Sequence, residues 1–306
     1  MINPFPVLPE FEYIRPKTAE EAIQFLQSHP EQARPFLGGT DCLVALRNRR
    51  ISPNFLVDLK YLDGFQDVIF HPHDGLTIAA AVSMNEMIAS EPVKMTYPLI
   101  AAAAREVGGY QLRSRATLIG NICNASPCGD TIAPCLVYGG MLAALGPDGK
   151  RCIALKDFFL GPGKTILQPN EIVCSIRFPL PPAGSRGKYL SIGRNALGDL
   201  AIAAVTILAF PDASQPSGYC FRIALTAVAP TVIFAEEAQR LLSQTPLNEK
   251  TLEQAALLAG QCCSPIDDIR ASAHYRREMV RVLTGRALQQ VWNALQKDVQ
   301  QEGGNG

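Results

Sequence analysis

The stretch Ala116-Thr-Leu-Ile-Gly-Asn-Ile-Cys-Asn-Ala-Ser-Pro-Cys-Gly-Asp-Thr-Ile-Ala-Pro134 decides how this chain reads. Its nineteen positions hold Gly120 and Gly129, the amides Asn121 and Asn124, the hydroxyls Thr117, Ser126 and Thr131, and one carboxylate, Asp130. A core strand would alternate apolar and polar residues, and a core helix would repeat apolar residues at i, i+3, i+4 and i+7; neither pattern is sustained here. Glycine lets the backbone approach an anion closely, and the Ser, Thr and Asn donors beside it suit the oxygens of a diphosphate. The stretch therefore predicts a ligand loop, and a dinucleotide is the natural ligand.

Working outward toward the N-terminus, Gln111-Leu-Arg113-Ser-Arg115 sets two arginines before the loop, either facing phosphates or solvated. The alanine-rich run Tyr97 to Val107 predicts a helix ending at Gly108-Gly109. Phe55 to Leu59 and Leu76 to Val82 read as strands, and His71 and His73 sit in a turn with no partner to make a metal site. Pro35-Phe-Leu37, then Gly38-Gly39-Thr40-Asp41, then Leu43, Val44 and Leu46 read as strand, glycine turn and helix. Such a helix start is an anion site, with Thr40 and Asp41 as caps, although alone it is slightly more often a plain βα turn. Thr18-Ala-Glu-Glu21 is a capping box opening a first helix on Ala22, Ile23 and Leu26.

Toward the C-terminus, Cys135 to Leu145 and Arg151 to Leu155 read as strands around the Pro147-Asp-Gly149 turn. Gly161-Pro-Gly-Lys-Thr165 ends like a phosphate loop but has Phe158 where that motif needs glycine, so it reads as a supporting turn. Glu171 to Phe178 is a strand, and Pro179 to Gly187, the densest Pro/Gly stretch, marks a boundary. Beyond it Lys188 to Ile192, Leu200 to Phe210 and Cys220 to Ala229 read as a three-stranded sheet. Val232 to Leu242, Asn248 to Ala259 and Ala273 to Leu295 read as helices, with a polar tail from Gln296. The expected domains are 1–178, with subdomains of about 1–58 and 59–178, and 188–298.

Composition narrows the function. The 306 residues carry 28 basic and 28 acidic side chains, so no overall field attracts nucleic acid or an anionic membrane. No apolar run nears the ~20 residues of a membrane span, and the start MINPFPVLPEFEY lacks an export signal; a cytoplasmic protein is expected. Nine cysteines fall mostly in apolar stretches with no CxxC, which argues against a disulfide framework or a zinc site. Cys123, Cys128, Cys135 and Cys152 match no iron–sulfur spacing.

GGTD at Gly38 to Asp41, TLIGNICNASPCGD at Thr117 to Asp130, GPGK at Gly161, NEIV at Asn170 and RNALGD at Arg194 occur together, in an order spanning nearly the whole chain. Together they resemble the FAD-binding medium subunit of molybdenum hydroxylases, a group that includes xanthine dehydrogenases and carbon monoxide dehydrogenase. The nearest likeness is to the separate flavin subunit of bacterial xanthine dehydrogenases. The resemblance implies an α+β fold: a two-subdomain FAD-binding domain (PCMH-type), followed by a three-stranded antiparallel sheet with a helical bundle. It implies non-covalent FAD, held by Leu37, Gly38, Gly39, Thr40 and Asp41 in one loop and by Thr117, Gly120, Asn121, Ser126 and Asp130 in the other. Ile172 or Val173 maps to a strand position at the flavin or adenine edge.

The resemblance further implies an iron–sulfur small subunit with [2Fe–2S] clusters, a molybdopterin large subunit that oxidises a purine, N-heterocycle or aldehyde, and an acceptor such as NAD, oxygen or quinone. No acid, base or nucleophile is nominated on this chain. Three departures stand out: Ile119 where the family's loop has glycine, Leu190 where some relatives have lysine, with Lys188 as a substitute, and no room after Cys123 for a cluster-bearing insertion. The competing readings are a self-sufficient flavoprotein oxidase and a flavin-free scaffold subunit.

Overall fold

The computed structural model describes residues 8–195 and 198–303, and side chains as far as 298. Thr18 opens α1 (Ala19–Ser28): its hydroxyl accepts from the Glu21 amide at 3.2 Å, and the Glu21 carboxylate reaches back to the Lys17 amide at 2.7 Å. Ala22, Ile23 and Leu26 then bury one face of the helix in a core shared with Val57. Beneath it lies a parallel three-stranded sheet in the order β1 (Glu12–Ile14), β3 (Phe55–Asp58), β2 (Ala33–Phe36). The loop Leu37–Asp41 runs from β2 into α2 (Cys42–Arg47), off the C-terminal edge of this sheet, where ligands of parallel sheets bind.

The second subdomain is a five-stranded antiparallel sheet in the order β4 (Val68–His71), β5 (Gly75–Ala79), β10 (Ile172–Phe178), β6 (Met141–Gly146), β7 (Gly149–Ala154). Six short helices bridge β5 and β6: α3 (Met84–Ala89), α4 (Glu91–Thr96), α5 (Pro98–Glu106), α6 (Tyr110–Arg113), α7 (Leu118–Asn124) and α8 (Ile132–Val137). A hairpin of β8 (Phe159–Gly161) and β9 (Lys164–Thr165) follows β7.

Three expectations for this first half are corrected. The strand read from Leu76 stops at Ala79, because a full capping box at Ser83 and Glu86 starts α3. The strand read from Cys135 begins as α8. Pro134 lies in its first turn, where a missing N–H is tolerated, and only after Gly139, at φ +72°, and Gly140 does β6 start. The nineteen-residue loop itself contains α7 and the start of α8, helices too short to show a periodic stripe.

After Pro179 to Ser185 the chain enters β11 (Arg186–Ile192), β12 (Ala203–Pro211) and β13 (Tyr219–Thr226), paired antiparallel in sequence order. These are the three strands read from the sequence. A two-residue β14 (Ile233–Phe234) adds an edge where a helix was expected to begin. α9 (Glu236–Gln244), α10 (Glu249–Gln261), capped by Asn248, and α11 (Ala273–Gly303) form the helical layer. The sheet is covered on both faces. Val205, Ile207, Ile223 and Leu225 pack into the helical core, while Tyr189, Ala204, Leu208 and Ala224 pack into the core of the preceding subdomain. The expected tail from Gln296 instead continues α11 as backbone helix.

Candidate functional site

A cleft of about 360 Å³ opens where the parallel sheet, the helical bridge and β10 meet. Its walls include all eleven residues expected to touch a dinucleotide: Leu37, Gly38, Gly39, Thr40, Asp41, Thr117, Gly120, Asn121, Ser126, Asp130 and Ile172. They come from chain segments as far apart as β2 and β10. The two loops meet at Gly38, where even a Cβ would collide with the backbone carbonyl of Arg115.

In the first loop Gly39 takes φ +75°, and a Cβ there would strike the Phe36 ring, so glycine is required. Leu43 is the first residue of the turn whose amide finds a backbone acceptor, Gly39 O at 2.9 Å. The amides of Gly39 to Cys42, and the Thr40 hydroxyl, have no partner among the described residues. Asp41 stands at the N-cap position in right-handed helical geometry and makes no capping bond, against the expectation that Thr40 and Asp41 cap this helix. It is exposed as a residue, yet the cleft wall desolvates its carboxyl enough to raise its pKa.

In the second loop the buried Thr117 caps α7, its hydroxyl accepting from the Gly120 amide at 2.9 Å. The Leu118 amide faces Val82 O in the antiparallel bridge that joins Ser83 to Thr117, and the Ile119 amide ahead of the Gly120 bond is unpaired among the described residues. Ile119 is an ordinary residue of α7 with no positive φ, and its side chain is buried in the cleft wall. Replacing a glycine there imposes no backbone strain. Asn121 Oδ1 accepts from the Thr131 hydroxyl at 2.8 Å, and Ser126 Oγ accepts from the Cys128 amide at 3.3 Å. Asn124, one of the two amides read in the loop, lines the cleft with its side chain unpartnered among the described residues.

Asp130 is the buried acid of the site, only 6% exposed. Burial pushes its pKa up to about 6, opposed by a hydrogen bond from the Tyr189 hydroxyl at 2.9 Å and reinforced by the charge of Glu106. Cys123, also on the wall, is pushed up to about 12 by burial alone. Ile172, Val173 and Leu167 form an apolar side, and Glu171 is held at the edge by Arg151 through two bonds of 2.7 and 2.8 Å.

The two arginines whose role was open part ways. Arg113 Nη1 donates to the carbonyls of Arg105, Val107 and Gly108, closing the C-terminus of α5, so its charge is spent on backbone. Arg115 contributes its carbonyl to the contact with Gly38. On β11, Leu190 packs into the helical core, and neither it nor Lys188 lines the cleft; Tyr189, between them, points toward it. Gly198, Asp199 and Leu200 add a wall from the C-terminal half, with Asp199 gripping Arg194 at 3.0 Å; Ala196 and Leu197 of that motif lie outside the described residues. Among the described residues, no three His, Cys, Asp or Glu side chains converge as a metal site would require.

Residues 9–181 match the family described as the FAD binding domain in molybdopterin dehydrogenase, and residues 188–291 match the CO dehydrogenase flavoprotein C-terminal domain. The chain belongs to the FAD-binding medium subunits of the molybdenum hydroxylases. It is 31% identical over 281 residues to the carbon monoxide dehydrogenase medium chain of Afipia carboxidovorans, covering 91% of this chain and 96% of that one. It is 29% identical over 280 residues to the putative xanthine dehydrogenase FAD-binding subunit of Escherichia coli K12, covering 90% and 94%. The solved carbon monoxide dehydrogenase from Hydrogenophaga pseudoflava, in a form lacking the Mo-pyranopterin moiety, matches with a TM-score of 0.89 at 30% identity over 94% of this chain and 99% of that one.

The donor set fits the cofactor of this family of medium subunits. Unpaired amides at two helix starts, with Thr40, Asn124 and Ser126 beside them, suit a diphosphate and its sugar hydroxyls. The apolar side at Leu167, Ile172 and Val173 suits an aromatic ring system.

Proposed function

We propose that this chain binds FAD non-covalently in the cleft and relays electrons from the [2Fe–2S] clusters of an iron–sulfur small subunit to an acceptor such as NAD, oxygen or quinone. A molybdopterin large subunit oxidises the substrate, a purine, N-heterocycle or aldehyde. The observation that carries the reading is the convergence of eleven residues from two glycine loops and β10 on one cleft, with unpaired amides at both helix starts.

When bound, flavin supplies the one- and two-electron chemistry. The chain's own residues bind, orient and shield. The amides of Gly39 to Cys42 and of Ile119 would receive diphosphate oxygens, and glycine at 38 and 39 lets the backbone come close. Asp130 and Ser126, both on the cleft wall, would serve as hydrogen-bonding partners for the cofactor's sugar-chain hydroxyls. Leu167, Ile172, Val173 and Leu200 exclude water from the rings. No side chain here is asked to act as acid, base or nucleophile on substrate.

The substrate is set elsewhere in the complex. Relatives spanning over nine-tenths of this chain are named for carbon monoxide, glyceraldehyde and caffeine dehydrogenases, so one medium-subunit fold accompanies very different substrates. We assign residues 1–178 to the FAD-binding domain and 188–298 to the C-terminal flavoprotein domain, and place the complex in the cytoplasm. Among the described residues no helix is long and apolar enough to cross a membrane.

The test is to purify the chain alone, record its visible spectrum and identify any cofactor released by acid. A flavin spectrum with FAD released, and reduction by an artificial donor but no substrate turnover, is the expected result. Substrate oxidation by this chain alone would replace the reading with a self-sufficient oxidase. A folded, colourless chain that cannot be reconstituted with FAD would replace it with a scaffold.

A further inference from the structure

Among the described residues Asp130 is the one buried carboxylate on the cleft wall, and its partner comes from the other half of the molecule. The Tyr189 hydroxyl of β11 donates to Asp130 Oδ1 at 2.9 Å, with both residues more than nine-tenths buried. Tyr189 lies directly across the strand pair from Thr206, and Ala204 across from Thr226, so these side chains share the sheet face that packs on the FAD-binding subdomains. The hydroxyls of Thr206 and Thr226 are buried without partners, which leaves Tyr189 as the donor from this face that reaches the cleft loop through its side chain. A backbone bond from the Ala227 amide to Pro127 O, at 2.8 Å, pins the same loop to the same sheet.

We propose that Tyr189 is a positioning residue that holds Asp130 ionised and aimed into the cleft, so that the C-terminal domain sets how tightly the FAD-binding domain retains its cofactor. The inference rests on the FAD reading above. An ionised carboxylate accepts strong hydrogen bonds from ligand hydroxyls, and a protonated one accepts weaker ones. The groups that set the charge of Asp130 are few. Burial raises its pKa, Glu106 from α5 raises it further, and Tyr189 from β11, with a lesser contribution from the residue's own backbone amide, lowers it. Elsewhere on the wall, Glu171 and Asp199 are already neutralised by Arg151 and Arg194, Cys123 is a neutral thiol, and Asp41 stands in the other loop. Removing the tyrosine hydroxyl therefore moves the Asp130 titration upward, toward neutral pH.

The experiment is FAD titration of the flavin-stripped full chain by flavin fluorescence from pH 5 to pH 8, for the native chain, Tyr189→Phe and Asp130→Asn. Native affinity is expected to fall as the pH drops through about 6. Tyr189→Phe should move that midpoint up by about half a pH unit or more, the scale of one hydrogen bond. Asp130→Asn should bind weakly with no midpoint in the range. A Tyr189→Phe chain whose affinity drops equally at every pH, with its midpoint unmoved, would overturn the proposal and leave Tyr189 a packing residue. Carbon-13 NMR of the Asp130 carboxyl in the stripped chain reads the same shift without flavin. A native chain that binds no FAD at any pH would sink the FAD reading, while the NMR arm would still judge the pair.

Discussion

Two acids in this protein, Asp130 and Asp268, show what distinguishes a binding site from a structural joint. Asp268 is saturated. Arg270 holds it through two bonds, backbone amides of Arg270 and Ala271 add two more, and Arg276 reaches it at 2.8 Å. Those bonds, Arg270's foremost, hold its carboxyl well below the usual range despite some desolvation. Asp130, more deeply buried, has one side-chain donor, Tyr189, and burial raises its pKa. Asp130 stands at the wall of a cleft with acceptor capacity left over for a ligand; Asp268 has none to spare.

The largest way to sharpen the contrast is Asp268→Asn. Arg276 is 1% exposed, and the substitution leaves its guanidinium without a counter-charge, held only by neutral acceptors, among them the carbonyls of Ile202 and Ala227. We expect a loss of about 3 kcal/mol in urea unfolding at pH 7; a loss below about 1 kcal/mol would show that Asp268 is not the joint described. The companion substitution, Asp130→Asn, has the opposite sign. A buried acid whose pKa rises by about two units on folding costs roughly 2–3 kcal/mol of stability above pH 6, a cost absent below pH 4. The stripped Asp130→Asn chain should therefore be more stable than native at pH 7 and no more stable at pH 4, by parallel unfolding curves. The pH sign of Asp268 is reversed: its depressed pKa contributes stability above the unfolded carboxylate range, lost as the pH falls through its folded value.

Smaller effects come from acids between these extremes. Asp58 is 2% exposed and takes bonds from Tyr13 at 2.7 Å and Lys60 at 2.6 Å, so it resembles Asp268; Tyr13→Phe should cost about 1 kcal/mol. Glu171 and Arg151 pair at the cleft edge with the arginine half exposed, and Arg151→Gln should cost no more than about 0.5–1 kcal/mol. If Arg151→Gln destabilised more than Tyr13→Phe, the ordering of saturated and exposed acids would be wrong.

How much of this was legible in the sequence follows from the range of the interactions. Gly38 to Asp41 and Thr117 to Asp130 declared themselves because glycine and short polar side chains act locally, and the structure brings both into one cleft. The strand misread at Cys135 failed for a tertiary reason: α8 is buried on all sides, so it shows the unbroken apolar run of a buried strand. β12 succeeded by the same pattern, being covered on both faces. The consequence of Ile119 standing where relatives have glycine was not legible, because the sequence does not show that α7 has already begun there. Tyr189 was out of reach: 59 residues separate it from Asp130, and nothing in the alternation of β11 says which strand face meets the cleft.

The central claim is that the cleft formed by the two loops and β10 is a flavin site, and the most direct measurement is a fluorescence titration of FAD into the stripped full chain beside Gly39→Ala. One FAD is expected to bind saturably to each native chain. Binding should be about ten-fold weaker or worse in Gly39→Ala, because that backbone must take φ +75° beside the Phe36 ring. A native chain that is folded by circular dichroism yet takes up no FAD, or a Gly39→Ala chain that binds as tightly as native, would contradict it.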